Sequence, residues 1–285
     1  MSKLFFVSDI HLTDFVGSGE YAVSDVLGYT QDERVRLLCE RVTQSGADEV
    51  FILGDLSIDD PPWRRERFGK ENYTRKLIEN YLKPLGKPLH MIPGNHDSHT
   101  NDEWREMTGR DRGFALISGG ILFIMLDNFA GTASGASGSP YTKSDVGFIK
   151  ASLGQNPGRK AIICAHYFDF EKESDEFREL IREDDRIIAL AQGHTHVRSL
   201  TMRYGKPLYD IGGFSYNCYS STDANGRIFW DFNHYDEKSA WGYLILDTGT
   251  LMTEYVYVKA DYNGSNGHFP REEEVIRQSL IPDPA

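Results

Sequence analysis

The sequence predicts an α/β fold. Short apolar runs alternate with helix-like patterns over roughly the first 200 residues, and a helical pattern lies between the first two runs, which is typical of a strand–helix–strand unit with parallel strands. With 285 residues, 40% of them hydrophobic, the chain can bury one large core. We expect one domain over residues 1–260 and a tail, 261–285, that is partly flexible or packed on a partner.

Each element has a local signal: apolar runs indicate strands, and apolar residues three or four apart behind a capping residue indicate helices. The expected strands lie at 3–7, 49–53, 88–92, 121–126, 160–165 and 186–191. The expected helices lie between Thr30 and Gly46, at 73–82, at 142–153 and after Ser174. An antiparallel ending on the same sheet system is expected at 197–204, 207–211, 227–232, 241–247 and 250–258, followed by a short helix at 272–280.

The composition excludes several classes of protein. A net charge of −12 argues against a protein that coats nucleic acid or binds a membrane surface, because both need a basic face. Cys39, Cys164 and Cys218 fit no zinc motif and are expected to be reduced thiols. Residues 3–7 are too short for a signal peptide or a membrane span, so a cytoplasmic location is expected.

Two loops stand out by composition. Residues 57–72 contain Trp63, Arg64, Arg65 and Arg67 in an otherwise acidic chain, and they predict either a lid that reads a base and a phosphate or a solvated loop. Residues 131–138 are rich in Gly, Ala and Ser, which favours a flexible loop over a linker between domains, since the βα alternation resumes after them.

Polar clusters follow five of the predicted strands. In a parallel α/β sheet, ligands bind at the carboxyl ends of the strands, so the fold would bring these clusters together. They are Asp9 with His11, Asp55, Asn95 with His96, His166, and His194 with His196.

These side chains offer oxygen and nitrogen atoms and no thiolate, a donor set that suits Mn, Fe, Zn or Co. Their number suits two metal ions. In an extended segment, Asp9 and His11 would point to the same side, as would His194 and His196. Asp55 stands alone at its strand end and is the natural bridge between two ions.

The same motifs resemble those of the calcineurin-like metallophosphoesterases. Asp9-Ile10-His11, Gly54-Asp55, Gly94-Asn95-His96-Asp97, Ala165-His166 and Gly193-His194-Thr195-His196 match that family in order. The resemblance implies a four-layer αββα sandwich of two mixed β-sheets, to which the antiparallel C-terminal strands would contribute the second sheet. It also implies that Asp9, His11, Asp55 and His196 hold one metal ion, and that Asp55, Asn95, His166 and His194 hold the other.

Some positions depart from relatives within that family. Purple acid phosphatases carry a metal-binding tyrosine three residues after the bridging aspartate, where this chain has Ile58, so a charge-transfer ferric site is not expected. Serine/threonine protein phosphatases place an aspartate there to orient the histidine of the GNHD motif. Asp59 and Asp97 are the nearest candidates here.

The resemblance implies a hydrolase in which a hydroxide between two metal ions attacks phosphorus. His96 is then a catalytic proton donor and Asp97 its support, while Asn95, Arg64 and Tyr167 contact substrate. We expect a phosphodiesterase acting on a small molecule such as a cyclic nucleotide. A phosphomonoesterase, a nucleotide pyrophosphatase and a non-catalytic scaffold are the alternatives, and the sequence leaves a homo-oligomer open.

Other polar and aromatic residues are given structural roles or left undecided. His90, His234 and His268 are expected to be structural, while His99 could either touch substrate or sit in a loop. Arg198 is either a surface charge or a site residue. Candidate pocket edges are Phe168, Phe214, Tyr216 and Tyr219.

Overall fold

The computed structural model describes residues 2–13, 31–58, 72–134, 141–215, 218–222, 228–232, 242–258 and 273–280. Two six-stranded sheets and a two-stranded ribbon make up its β-structure. Five α-helices flank the sheets: α1 (Gln31–Ser45), α2 (Tyr73–Leu77), α3 (Asn101–Thr108), α4 (Val146–Gln155) and α5 (Asp175–Glu183). Short helical turns occupy Ile78–Leu82, Lys83–Leu85 and Ala130–Ser134.

The first sheet has three parallel strands and an antiparallel extension. Its strands are β1 (Lys3–Val7), β2 (Glu49–Leu53), β3 (Leu89–Ile92), β12 (Gly242–Asp247), β13 (Met252–Val258) and β14 (Glu273–Ser279). The spatial order is β14-β13-β12-β1-β2-β3, and β1, β2 and β3 are parallel. Because β1 lies beside β2 and β12, its carboxyl end is flanked on both sides.

The second sheet is built around four parallel strands. Its strands are β4 (Phe114–Ser118), β5 (Ile121–Met125), β6 (Ala161–Cys164), β7 (Ile187–Gln192), β8 (Arg198–Arg203) and β9 (Lys206–Ile211). The order is β4-β5-β6-β7-β9-β8, with β4 and β8 antiparallel at the two edges. The ribbon pairs β10 (Cys218–Thr222) with β11 (Ile228–Phe232).

Alternating side chains of β1 divide the core into layers. Phe5 and Val7 pack with residues of α1 on the outer face of the first sheet, whereas Leu4 and Phe6 pack between the two sheets. A third apolar layer joins the second sheet to α4 and α5. Three apolar layers between helices, sheet, sheet and helices make the predicted four-layer sandwich, which is confirmed.

Two predictions about the C-terminal part are wrong. Within the helix expected at 272–280, Glu273–Ser279 form strand β14, because seven residue pairs with β13 outweigh the helix propensity of the Glu- and Arg-containing sequence. The C-terminal strands were also expected to contribute the second sheet as an antiparallel ending. The last three strands instead extend the first sheet, and β9 lies parallel to β7 in the second. Strand pairing depends on distant partners, which local patterns do not specify.

Most other elements lie close to their predicted positions. The helix expected at 142–153 starts later, at Val146, because the side chain of Asp145 caps it by accepting a bond from the Phe148 amide. Helix α3 and strand β4 were not predicted. The domain boundary at residue 260 stays a prediction. Among the described helices, none combines the length and the apolar character needed to cross a bilayer.

Candidate metal centre

The polar clusters meet where the parallel strands of both sheets end. Asp9 and His11 follow β1 in the first sheet, and His196 follows β7 in the second, yet their ligand atoms lie within 4.8 Å of one another. Asp55, His166 and His194 form another such group, and His11, Asp55 and His96 a third. The predicted convergence at the carboxyl ends of the strands is therefore present.

The backbone at these residues is unusual. Five of the seven described non-glycine residues with positive φ are predicted ligands: Asp9, His11, Asp55, His194 and His196. The left-handed conformation costs a non-glycine residue on the order of 1–3 kcal/mol and is concentrated at functional sites. The predicted reason for the convergence of Asp9 with His11 is thus wrong, because tight turns and not an extended segment bring their side chains together.

The first set of donors, Asp9, His11 and His196, surrounds one point. The Nε2 atoms of His11 and His196 are 3.2 Å apart, and Oδ1 of Asp9 lies 3.3 Å from His196 Nε2 and 3.6 Å from His11 Nε2. Ligands at about 2.0–2.1 Å from a zinc-like ion are separated by about 3.0–3.4 Å. Oδ1 of Asp9 is also buried and accepts no hydrogen bond. The arrangement fits a cation.

The second set of donors, Asn95, His166 and His194, is similar but includes a side-chain amide. Oδ1 of Asn95 lies 2.8 Å from Nδ1 of His194 and 3.1 Å from Nε2 of His166, and these two nitrogens are 3.2 Å apart. His166 Nδ1 donates to the Leu53 carbonyl oxygen at 2.7 Å, so Nε2 is the nitrogen that faces the other donors. These spacings again fit the edges of a metal coordination shell.

Asp55 joins the two sets through a single atom. Its Oδ2 lies 3.2 Å from His166 Nε2 and 3.6 Å from His11 Nε2. Its Oδ1 accepts a hydrogen bond of 2.9 Å from the His96 amide, which fixes the carboxylate plane. The position of Oδ2 is the one that a bridging oxygen between two ions would take.

Two glycines of the motifs leave room for this packing. A Cβ atom on Gly94 would lie 2.1 Å from Asp55 Oδ1, and one on Gly193 would lie 1.7 Å from Ser8 Oγ and 2.6 Å from Asp9 Oδ2. Any side chain at either position would displace the carboxylate of Asp55 or Asp9, or the side chain of Ser8. Gly94 and Gly193 are therefore required because neighbouring side chains lie too close for a Cβ atom.

Charges within the centre favour a bound cation. Burial lowers the pKa of His11 to about 4 and that of His194 to about 3, so both imidazoles are neutral, as metal ligands must be. Burial also lowers the pKa of His166, but attraction by Asp55 outweighs it and raises the value to about 10. Positive charge is thus stabilised beside Asp55.

His96 and Asp97 have different surroundings. His96 is half-exposed at the rim, with its ring centroid 5.2 Å from that of His11. Asp97 is fully buried, and its carboxylate accepts bonds from the amides of Gly94 at 2.8 Å, Leu56 at 3.1 Å and Ser57 at 3.4 Å.

Burial raises the pKa of Asp97 to about 6, and repulsion from Asp55 adds to the effect. Among the described residues, its hydrogen bonds go to backbone amides and not to the His96 ring. The Asp97 carboxylate therefore links the loop after β2 to the loop that contains the GNHD motif. This role differs from the predicted support of the His96 ring.

Aromatic rings line the second set. The Tyr167 ring centroid is 4.6 Å from that of His194, and Tyr167 is half-exposed. The Phe129 ring lies 5.5 Å from His166 and 5.8 Å from His194. Phe129 was missed in the sequence, although its position just after a strand end, behind Asp127-Asn128, was an available signal.

The remaining residues singled out in the sequence mostly have structural roles. His90 is buried against Glu49 at 2.6 Å, and His99 is buried with Nε2 3.0 Å from Thr74 Oγ1. The Arg198 guanidinium lies 3.9 Å from the Tyr257 ring centroid. Phe168, Phe214 and Ile58 are buried. Outside the described residues, or outside the described side chains, lie Thr30, Asp59, Trp63, Arg64, Arg65, Arg67, residues 135–138, Tyr216, Cys218, Tyr219, His234 and His268.

Comparison with known proteins agrees with this geometry. Residues 2–198 match the model of the calcineurin-like phosphoesterase family. No curated protein sequence matches the chain at a significant level.

Three solved structures share the fold at low sequence identity. A dimetal phosphatase from Danio rerio has a TM-score of 0.63 at 10% identity, covering 98% of this chain and 99% of that one. The purple acid phosphatase PPD1 from yellow lupin (Lupinus luteus) has a TM-score of 0.50 at 14% identity, covering 98% of this chain and 54% of that one. GAP50, the anchor in the inner membrane complex of Plasmodium, has a TM-score of 0.51 at 11% identity, covering 90% and 84%.

The family model covers well over half of the chain, and the structure brings together two sets of oxygen and nitrogen donors of the kind that bind Mn, Fe or Zn. The chain belongs to the calcineurin-like phosphoesterase family and is a metal-dependent phosphoesterase.

Proposed function

We propose that this protein is a phosphodiesterase that hydrolyses a small-molecule phosphodiester such as a cyclic nucleotide. The observation that carries the proposal is Oδ2 of Asp55, which lies between His11 and His166 and so links two donor sets into one binuclear centre. The proposed ligands are Asp9, His11, Asp55 and His196 for one ion, and Asp55, Asn95, His166 and His194 for the other. When bound, two such ions supply Lewis acidity and lower the pKa of water to near neutrality.

The residues of the chain divide the remaining work. His96 is half-exposed beside His11 and is the group placed to donate a proton to the leaving oxygen. Asp97 holds the loop that carries it, through the Gly94 and Leu56 amides. Tyr167 lies against His194 and would contact the organic part of the ester. Arg64, outside the described residues, remains a proposed phosphate contact.

The preference for a diester over a monoester follows from charge. A monoester carries a second negative charge, for which arginine clamps are the usual partners. Arg198, two residues after His196, stacks on Tyr257, and Arg112 pairs with Asp127 at 2.7 Å. Both of these described guanidinium groups are engaged by other parts of the protein, which leaves the proposed Arg64 contact and supports a substrate with one charge.

A test compares two chromogenic esters. With Mn²⁺ present, hydrolysis of bis-p-nitrophenyl phosphate is expected to exceed that of p-nitrophenyl phosphate, and a chelator is expected to abolish both. Asp55→Asn is the control for activity that arises outside the centre. Faster monoester turnover would favour a phosphomonoesterase, and cleavage of a dinucleotide with release of two mononucleotides would favour a nucleotide pyrophosphatase.

A non-catalytic scaffold is the alternative from another class. GAP50 is described as an anchor, so a protein of this fold need not be known for catalysis. The presence of all seven proposed ligands and of His96 argues for an enzyme here. Binding of two metal ions without turnover of any phosphate ester would favour the scaffold.

The proposal includes a cytoplasmic location and a small soluble substrate. Cys39 and Cys164 are free thiols, and Cys164 is fully buried, as is usual in a reducing compartment. Fractionation of cells that produce the protein would test the location.

A further inference from the structure

Behind the second set of ligands lies a buried polar pair, Gln192 and Asp210. They occupy facing positions on the parallel strands β7 and β9, and each is at most 5% exposed. Gln192 Nε2 donates to Asp210 Oδ2 at 2.9 Å, and Gln192 Oε1 accepts from the Phe168 amide at 3.0 Å. The pair therefore connects the ends of β6, β7 and β9 across the second sheet.

Each end of this connection is close to a ligand in the chain. Phe168 follows His166 by two residues, and Gln192 precedes His194 by two residues. Asp210 also interacts with the hydroxyl of Thr195, between His194 and His196, and accepts a bond of 3.4 Å from the Gly212 amide. A shift of the pair would change the distance between the loops that carry His166 and His194.

We propose that Gln192 and Asp210 are positioning residues that hold His166 and His194 at the spacing required by the second metal ion. Neither residue is one of the proposed ligands. Backbone contact supports the same spacing, since the Gly193 amide donates to the His166 carbonyl at 2.9 Å, but that bond alone does not involve β9. The inference rests on the two-metal centre of the proposed function and not on the choice of ester.

The chemistry of Asp210 suggests a discriminating substitution. Burial raises the pKa of Asp210 to about 7, and bonds from Gln192, Thr195 and Gly212 oppose this rise. A neutral side chain of the same shape should therefore keep the Gln192 contact, although its amide nitrogen cannot accept the longer 3.4 Å bond from the Gly212 amide. Asp210→Asn can still accept a bond from Gln192, whereas Asp210→Ala leaves the buried Gln192 amide group unpaired.

The experiment measures Mn²⁺ binding to the full chain by equilibrium dialysis, and follows the exchange-coupled spectrum of a two-manganese centre by electron paramagnetic resonance. We expect Asp210→Ala to weaken the second equivalent of Mn²⁺ about tenfold, the lower end of the effect of outer-shell partners. Gln192→Met, of similar length but without the two bonds, should do the same and provides a second route if Asp210→Ala does not fold. Asp210→Asn should weaken this binding clearly less than Asp210→Ala and keep the coupled spectrum, because it retains the acceptor for Gln192.

Asp247→Ala is the matched control. Its carboxylate also accepts bonds from backbone amides, those of Gly249 and Thr250. Asp247 lies opposite Lys3 in the pairing of β12 with β1, at the other end of β1 from Asp9. Folded Asp210→Ala and Gln192→Met proteins that bind two ions as tightly as wild type would overturn the inference, as would an Asp210→Asn protein as weak as Asp210→Ala. A wild-type chain that binds fewer than two ions would instead overturn the two-metal centre itself.

Discussion

The two halves of the metal centre differ in their access to solvent. In the half formed by Asp9, His11 and His196, no residue is more than 7% exposed. In the other half, His166 is buried, but Asn95 and His194 are partly exposed and an aromatic ring lies beside them. We infer that the first half holds its ion as a fixed part of the structure and that the second half is the side from which a substrate enters.

Asp55 is the residue on which this distinction depends, because its Oδ2 belongs to both halves. Asp55→Asn is expected to lower kcat by more than about 10⁴-fold, beyond what a single proton donor contributes. Bound metal should fall below two ions per chain, measured by elemental analysis. A variant that keeps both ions and its activity would show that Asp55 is not the bridge. Asp247→Asn, a carboxylate outside the centre, serves as the control.

His96 is half-exposed beside His11. Substituting it tests whether a group on the exposed side of the centre takes part in the reaction. His96→Ala is expected to retain both ions and to lose about 10²-fold in kcat on esters with poor leaving groups, because those depend on the proton donor. The loss should be small with p-nitrophenolate, which leaves without a proton. Loss of an ion in this variant would instead make His96 a ligand, as its place in a group with His11 and Asp55 allows.

Gly193 is the point where the loop of one half touches a carboxylate of the other. Gly193→Ala is expected to destabilise the fold by about 1–3 kcal/mol, because the added methyl group would overlap Ser8 and crowd Asp9. Gly154→Ala is the matched control: its Cβ meets nothing within 4 Å in helix α4, where alanine stabilises by about 0.5–1 kcal/mol. The free energy of unfolding of both variants is measured with denaturant. Equal stability of the two variants would contradict the close approach of Gly193 to Ser8 and Asp9.

The difference in exposure should also appear in metal exchange. Limited chelation is expected to remove the ion of the open half first, because solvent reaches Asn95 and His194 more readily than the buried ligands of the other half. His194→Ala should then abolish the weaker phase of Mn²⁺ release and keep the tighter one, whereas His11→Ala should weaken the tighter one. Simultaneous loss of both ions in wild type would remove the distinction between the halves.

Local sequence patterns were sufficient to predict those strands whose burial is visible in their own residues. The continuous apolar runs at β1, β2, β5 and β7 predicted buried strands because a sheet covered on both faces tolerates few polar residues. The polar residues that follow β1, β2, β3, β6 and β7 predicted the candidate centre for a different reason: chain direction alone places them at the carboxyl-end edge of their sheet.

Features that depend on distant partners were not accessible in this way. Residues 273–279 have the composition of a helix and become a strand by pairing with β13. Asp97 was expected to serve its neighbour His96, yet it accepts bonds from amides some forty positions earlier in the chain. Gln192 and Asp210 were not singled out in the sequence, because only the pairing of β7 with β9 brings them together.

The sequence alone predicted the candidate donors and the strand ends that carry them, because both follow from residue type and short-range order. Their geometry was not. The left-handed turns at Asp9 and His11, the single shared oxygen of Asp55 and the greater exposure of one half arise only when two sheets pack with their carboxyl edges together. The cost of those turns is met by packing from both sheets, and this is a property of the assembled sandwich rather than of any segment.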